Sequence, residues 1–385
     1  MSGITGALTS SLPAPDTLPG LLLTLTALTG EFPTSLVHRV PGSDSYKEAA
    51  VKRLKREKLL RTYYHDGLRG LRLTATAKRL LLSARPDLFS GIFSGSTVTN
   101  NPKYTVPHRL RLHRMAEVLV TMMQARVPSF PWEKSAVFQP EPPPAGFCAS
   151  LPAYYSSREV KEIGPQSSKI RGSRATGVLL TESGIFVVYN IGASKTKWEY
   201  KAELRMKALL QIEICQRRLS AQYADLPVNA VVFGQGLEPL EHLMGPGDRA
   251  SRNYFVLDGS FDHFYYLTSD HHGEVMLRLL WDNSLKSDLD TILSEDLLPW
   301  DRQCPVEHDA LDAAGTPVLF GYLGDMPRIR RFDTALELHE RSGILICFDF
   351  QEAALRRSCG RRVQFQCIDF DAFEGSVCHI TQESH

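Results

Sequence analysis

This sequence predicts an α+β fold made of two unlike parts, and three observations predict it. Helix-period apolar runs crowd into the residues before position 90, strand-like runs alternate with helical ones after position 152, and a proline-rich break lies between them. At 385 residues the chain is long enough for two or three domains, each with its own core. Apolar residues make up 43% and charged residues 23%, a balance that excludes a wholly disordered chain.

The elements follow in order. Residues 1–16, rich in Ser, Thr, Pro and Gly, read as a disordered lead-in. Residues 18–29 are an apolar first helix ended by Gly30. The apolar run there is broken by Gly20, Thr24 and Thr26 and has no basic segment ahead of it, so it is neither a secretory signal nor a membrane span. Residues 34–40 form a short second helix, started at Pro33-Thr34-Ser35 and stopped by Pro41-Gly42. Ser43 or Asp44 then caps a third helix over residues 45–58. Two short strands, 59–64 and 71–73, flank a turn-rich tip at 65–70, and residues 74–82 close the series as a helix. Helix, turn, helix, hairpin and closing helix in that order are the pattern of a winged helix-turn-helix over residues 17–90.

Residues 91–152 read as a connector. Leu110, Leu112, Met115, Val118, Leu119 and Met122 recur at helical spacing over residues 108–126, and Pro-Ser-Phe-Pro-Trp and Glu-Pro-Pro-Pro-Ala-Gly then punctuate residues 128–152. Residues 153–385 predict an α/β domain with a mixed sheet. Residues 175–180 and 185–189 flank a Glu-Ser-Gly turn, 201–223 is helical, and 228–233, 255–257, 264–267, 344–348 and 363–368 are strands.

The net charge of +1 hides a segregation. Residues 38–85 hold thirteen Lys/Arg against four Asp/Glu, leaving 31 against 39 elsewhere, so one end of the chain is built to meet an anion. On a 100° wheel the third helix sets Ala50, Val51 and Leu54 on one face and Ser45, Ala49, Lys52 and Arg56 opposite, flanked by Arg53 and Lys55. A cationic helix held outward in this way suits the major groove of double-stranded DNA, where Arg and Lys reach guanine and small side chains permit close approach. Lys47 lies toward the apolar side and is assigned to phosphate. Arg61, Arg69, Arg72 and Lys78 are expected on phosphates or in the minor groove. A solvated charged face is the blander reading, against which stands the order of helix, turn, helix, wing and closing helix; the same fold also serves as a protein-docking module, and the charge imbalance argues against that.

Chemistry in the second part is a weaker signal. A hairpin before a helix invites comparison with a restriction-endonuclease-like nuclease in degenerate form, and Glu199-Tyr200-Lys201 has the acidic-x-Lys spelling. It lies past the strand that should carry it, since that strand reads Phe186-Val187-Val188-Tyr189-Asn190. A magnesium site would have to recruit Glu182 or Glu203 as well. Cys304, His308, His271 and His272 match no closed zinc spacing, Gly234-Gln235-Gly236 lacks the rest of a phosphate loop, and no Gly-x-Ser-x-Gly occurs. Trp198, Trp281 and Trp300 read as core or docking surface. Seven cysteines without a C-x-x-C pair predict buried free thiols in a reducing cytoplasm. No catalytic residue, cofactor or metal is therefore expected outside the nuclease alternative.

The third helix, Ala50-Val51-Lys52-Arg53-Leu54-Lys55-Arg56-Glu57-Lys58-Leu59-Leu60, the hairpin leading into Leu73-Thr74, residues 108–122 and the hairpin-helix domain together resemble, over residues 17–235, the replication-relaxation family of plasmids and integrative conjugative elements in Firmicutes. The resemblance implies a protein that binds plasmid or transfer-origin DNA and assists replication or relaxase-mediated processing, its second domain docking a relaxase or replication protein. Some members carry acidic residues on the second-domain strand where this chain has Tyr189 and Asn190, so the resemblance does not bring a nuclease with it. A winged-helix transcriptional regulator is the remaining alternative.

Overall fold

The computed structural model describes residues 12–95, 97, 99–163, 173–193, 198–244 and 259–382. The fold is α+β and divides into two compact units, residues 1–120 and 121–385. Among the described residues no helix is long and apolar enough to cross a membrane. Most of the expected lead-in, and the expected strand at 255–257, lie outside the described residues.

In the first unit, helix α1 (Leu18–Thr29) starts where Thr17 Oγ1 accepts from the Gly20 N–H, at 3.3 Å, and ends at Gly30, whose φ of 80° suits a residue without a Cβ. Strand β1 (Phe32–Pro33) and a 3-10 helix (Thr34–Arg39) follow. The expected second α-helix is this tighter form, six residues long, because Pro33 and Pro41 leave only seven residues between them and a short piece satisfies its carbonyls with i→i+3 bonds. Helix α2 (Asp44–Arg56) comes next, then strands β2 (Leu60–His65) and β3 (Leu68–Leu73), and helices α3 (Ala75–Ala84), α4 (Pro86–Phe93) and α5 (Val106–Gln124). The sheet order is β1-β3-β2, antiparallel throughout. The hairpin is tighter than its sequence suggests. Its tip is Asp66-Gly67 alone, with φ of 49° and 74°, the left-handed pair that a two-residue turn needs to match strand twist. Leu22, Leu23, Phe32, Leu54, Leu60 and Leu71 fill the core.

The second unit holds two five-stranded sheets where one was expected. The first runs β4 (Ala153–Ser156), β5 (Gly177–Thr181), β6 (Gly184–Gly192), β7 (Val228–Gly234), β8 (Phe264–Thr268), antiparallel as far as β6 and parallel after it. Every residue of β5, β6 and β7 is buried, which is why these segments read as continuous apolar runs without alternation. The long helix expected after β6 is three pieces: α6 (Tyr200–Leu210), a π-helical stretch (Gln211–Arg218) and α7 (Ser220–Tyr223). Helices α8 (Glu238–Met244), α9 (His271–Trp281) and α10 (Asn283–Ser294) lead to the second sheet. It is formed by β9 (Leu298–Pro299), β10 (Ala310–Leu311), β11 (Pro317–Phe320), β12 (Gly343–Phe348) and β13 (Val363–Ile368). Helices α11 (Met326–Leu338) and α12 (Asp349–Ser358) cross between its three parallel strands, and α13 (Phe370–Gln382) follows. Residues 128–152 contain no helix or strand, and Val137, Phe138 and Ala149 from them pack into this unit's core. Cys148, Cys215, Cys304, Cys347, Cys359 and Cys367 are free thiols, and of these six Cys215 and Cys347 are buried.

Candidate nucleic-acid interface

Helix α2 follows a turn at Gly42, where φ is 113°. Ala50 and Leu54 are buried, and Ser45, Ala49, Lys52, Arg53 and Arg56 are exposed together on the opposite side. Lys52 meets Glu48 at 3.1 Å and Arg53 meets Glu57 at 2.8 Å, both along the helix surface, where such pairs are weak. Lys55 and Arg56 have no carboxylate partner among the described residues. The helix ends with Lys58 at a φ of 55° and with Leu59 N–H donating to the Leu54 carbonyl at 2.9 Å, which turns the chain directly into β2.

Strand alternation then sorts the hairpin's cations. Tyr64 pairs with Arg69 and Arg61 with Arg72, so Arg69 shares a face with Leu60, Leu71 and Leu73. Partial burial, together with the nearby Arg69 charge, pulls the Lys55 ammonium below its ordinary value. Those two cations therefore share one surface running from α2 to the hairpin. Arg61 and Arg72 lie on the other face.

Two of the expected phosphate contacts are structural instead. Lys47 is buried at 8% exposure, and its Nζ donates to the His38 carbonyl at 2.6 Å and pairs with Asp44 at 3.2 Å. It ties α2 to the last turn of the 3-10 helix. Arg72 is 3% exposed and bonds Glu31 at 2.6 Å. Lys78 is half-buried, donating to the carbonyl and, at 3.2 Å, to the side-chain oxygen of Asn100.

The Glu31 carboxylate is the hub of a network that sequence reasoning missed. Arg72, Arg109 and His113 all reach it, at 2.6, 2.6 and 2.8 Å. Burial works against its charge, and hydrogen bonds from His113, Arg109 and Arg72 outweigh that and hold it down to about 2. Arg109 also donates to the His65, Leu68 and Tyr63 carbonyls, so α5 grips the hairpin's tip end through one guanidinium. The Arg72 and Arg109 guanidinium groups both lie over the Tyr63 ring, 4.0 and 4.7 Å from its centre. Gly70 makes room, since a Cβ there would lie 2.3 Å from Glu31 Oε1. The legible signal was Arg109 and His113 four residues apart within an apolar helical repeat.

The residues of the nuclease alternative are not brought together. Glu199 and Lys201 are exposed at the start of α6, and Glu203 is buried one turn on, accepting from Ser173 Oγ at 2.9 Å, Arg174 N–H at 2.8 Å and Tyr189 OH at 2.8 Å. Burial raises the Glu203 carboxyl above its ordinary value. Glu182 sits in the β5–β6 turn, accepting from Asn283 at 3.3 Å, at the other end of the nine-residue β6. At about 3.3 Å per residue that strand separates Glu182 from Glu199 and Glu203 by far more than one magnesium ion spans. Among the described residues no three His, Cys, Asp or Glu side chains are grouped to hold a metal. His308 spends both ring nitrogens locally, on the Val306 carbonyl and the Asp301 N–H, which takes it out of any zinc set with Cys304.

Comparison of the chain with protein-family models, with curated proteins and with solved structures finds no match.

Proposed function

We propose that this protein is a double-stranded DNA-binding accessory protein of a mobile element, with residues 17–90 acting as a winged helix-turn-helix. In this reading the 3-10 helix and α2 are the helix-turn-helix, and the β2–β3 hairpin is the wing. The observation that carries it is the face of α2: Ser45, Ala49, Lys52, Arg53 and Arg56 stand out from a helix whose Ala50 and Leu54 are in the core. Lys52, Arg53 and Arg56 would read base edges, Ser45 and Ala49 allow the close approach, and Lys55 and Arg69 hold phosphate.

The second unit, on the excess of acidic residues outside 38–85 and its two sheets, is proposed to dock a protein partner such as a relaxase or replication protein at a plasmid or transfer origin, in the cytoplasm. Layout supports the replication-relaxation reading: a basic helical unit with a hairpin, then a strand-hairpin-helix-strand sheet. Binding of the full chain to its own element's origin duplex, against a scrambled duplex, tests it. Lys52→Ala with Arg56→Ala is expected to weaken specific binding by about 1–3 kcal/mol for each base no longer read, leaving scrambled-duplex binding less affected. Equal losses on both duplexes would show that α2 is not the reading helix.

A further inference from the structure

The face of the hairpin turned away from Lys55 and Arg69 opens onto a cleft of about 890 Å³ within the first unit, walled by the end of α1, by β2 and α3, and by residues 99–105. Arg61, Arg72, Lys78, Arg79 and Lys103 line it, and its described lining contains no Asp or Glu. Arg72 is engaged from behind by Glu31, and four further cations face one concavity. Such a surface is held together against its own repulsion, and its field draws an anion inward.

Lys78 is prepared for a ligand. Its two bonds to Asn100 fix the ammonium and leave one of its three N–H donors for a third partner. Burial, followed by the Arg61 and Arg72 charges, pulls it below the ordinary lysine value, a penalty that a bound anion would remove. The volume lies within the range of about 300–1,000 Å³ typical of small-molecule sites. Tyr104 stands at the rim, 60% exposed, with its ring 5.6 Å from Tyr63 and 5.3 Å from the Arg72 guanidinium, so the ring is supported from within and available from outside.

We propose that this cleft binds a phosphorylated small molecule of the nucleotide class, with phosphate between Arg61, Lys78 and Arg79 and the base against Tyr104. Such binding is separate from DNA binding and does not rest on it, because Arg61 and Arg69 lie on opposite faces of the hairpin. Phosphate on a nucleic acid strand shares this chemistry, and the experiment separates the two sources.

Calorimetric titration of the full chain with ATP, with inorganic pyrophosphate and with duplex and single-stranded DNA is the test. ATP and pyrophosphate are expected to bind, and Arg61→Glu with Arg79→Glu, both exposed positions, to weaken them at least about tenfold, the equivalent of 1.4 kcal/mol. Tyr104→Ala should weaken ATP more than pyrophosphate, and Lys52→Ala with Arg56→Ala should leave both unchanged while lowering duplex affinity. An unchanged unfolding midpoint shows that the glutamate variant is folded. No binding of ATP or pyrophosphate at about 1 mM overturns the proposal. So does ATP binding undiminished in the glutamate variant, or a variant that loses DNA affinity where ATP never bound, which would give the cleft to a nucleic acid strand.

Discussion

Glu31 and Glu203 are both at 0% exposure, one in each unit, and their carboxyls are driven in opposite directions. Around Glu31 stand two guanidinium groups and an imidazole. Around Glu203 the hydrogen-bond donors are two hydroxyls and a backbone N–H, with the charge of Arg174 the smallest contribution. Burial penalises the charged form at both sites, so the partners decide which form persists. The contrast between the two carboxyls sorts a basic region: cations that answer a buried carboxylate are architecture, and those left over are available to a ligand. Arg72 and Arg109 belong to the first group, Arg56, Arg61, Arg69 and Arg79 to the second.

That contrast breaks most sharply at Glu31. Glu31→Ala leaves Arg72 and Arg109 buried without their carboxylate, and an equilibrium denaturation should lose about 3–5 kcal/mol. The pH dependence has a definite sign. The folded carboxyl at about 2 lies below its ordinary value of 4.5, so its contribution is fully present above 4.5 and lost as pH falls toward 2. That contribution is about 3 kcal/mol from the 1.36 kcal/mol of each pKa unit. Glu31→Gln should flatten the stability curve across that interval, and an unchanged acid limb would mean that Glu31 is not charged in the fold.

Gly70→Ala tests the same site sterically. The added Cβ meets the Glu31 carboxylate, and overpacking there should cost about 1–3 kcal/mol, read as a lower urea midpoint with an unchanged slope. Glu203→Gln is expected to cost about 1 kcal/mol or less near neutral pH, since the amide oxygen can accept from the Arg174 N–H while the amide NH2 donates to the Ser173 and Tyr189 hydroxyl oxygens, and no buried charge is stranded. Its sign is the reverse of Glu31. A carboxyl raised in the fold binds its proton more tightly there than in the unfolded chain, so stability falls as pH rises above the ordinary carboxylate value. The Gln variant should remove that decline. Should Glu203→Gln instead lessen the loss of stability at low pH, the carboxylate is charged in the fold and the contrast fails.

How much of this was legible depended on whether the controlling interactions are local. Helix α1 was read to its ends because Thr17 and Gly30 cap it within a turn, and the α2 face because a helical wheel needs only its own residues. Arg72 and Lys47 were misplaced for one reason. Each is cationic by composition, yet its place is set by a group distant in sequence or outside its own helix: Glu31, forty-one residues from Arg72, and the carbonyl of His38, nine from Lys47. No wheel or alternation carries that information. The second sheet was invisible as a unit because β9 and β10 are two residues long, too short for any period to show, and only their pairing with β11 defines them.

The smallest expected effect is also the most discriminating for the free cations. Arg69→Ala removes an exposed side chain from the hairpin, so its unfolding free energy should stay within about 0.5 kcal/mol of the parent. Its DNA affinity should fall alike on specific and scrambled duplexes, and the slope of log K against log salt should lessen by about one, the signature of one phosphate contact. Arg72, three residues on, cannot make this test, because its removal leaves Glu31 short of a partner and moves stability and binding together. An Arg69→Ala protein with parental stability and an unaltered salt slope would mean that the hairpin stays off the duplex, and that the cations left over on this face serve something other than the phosphate backbone.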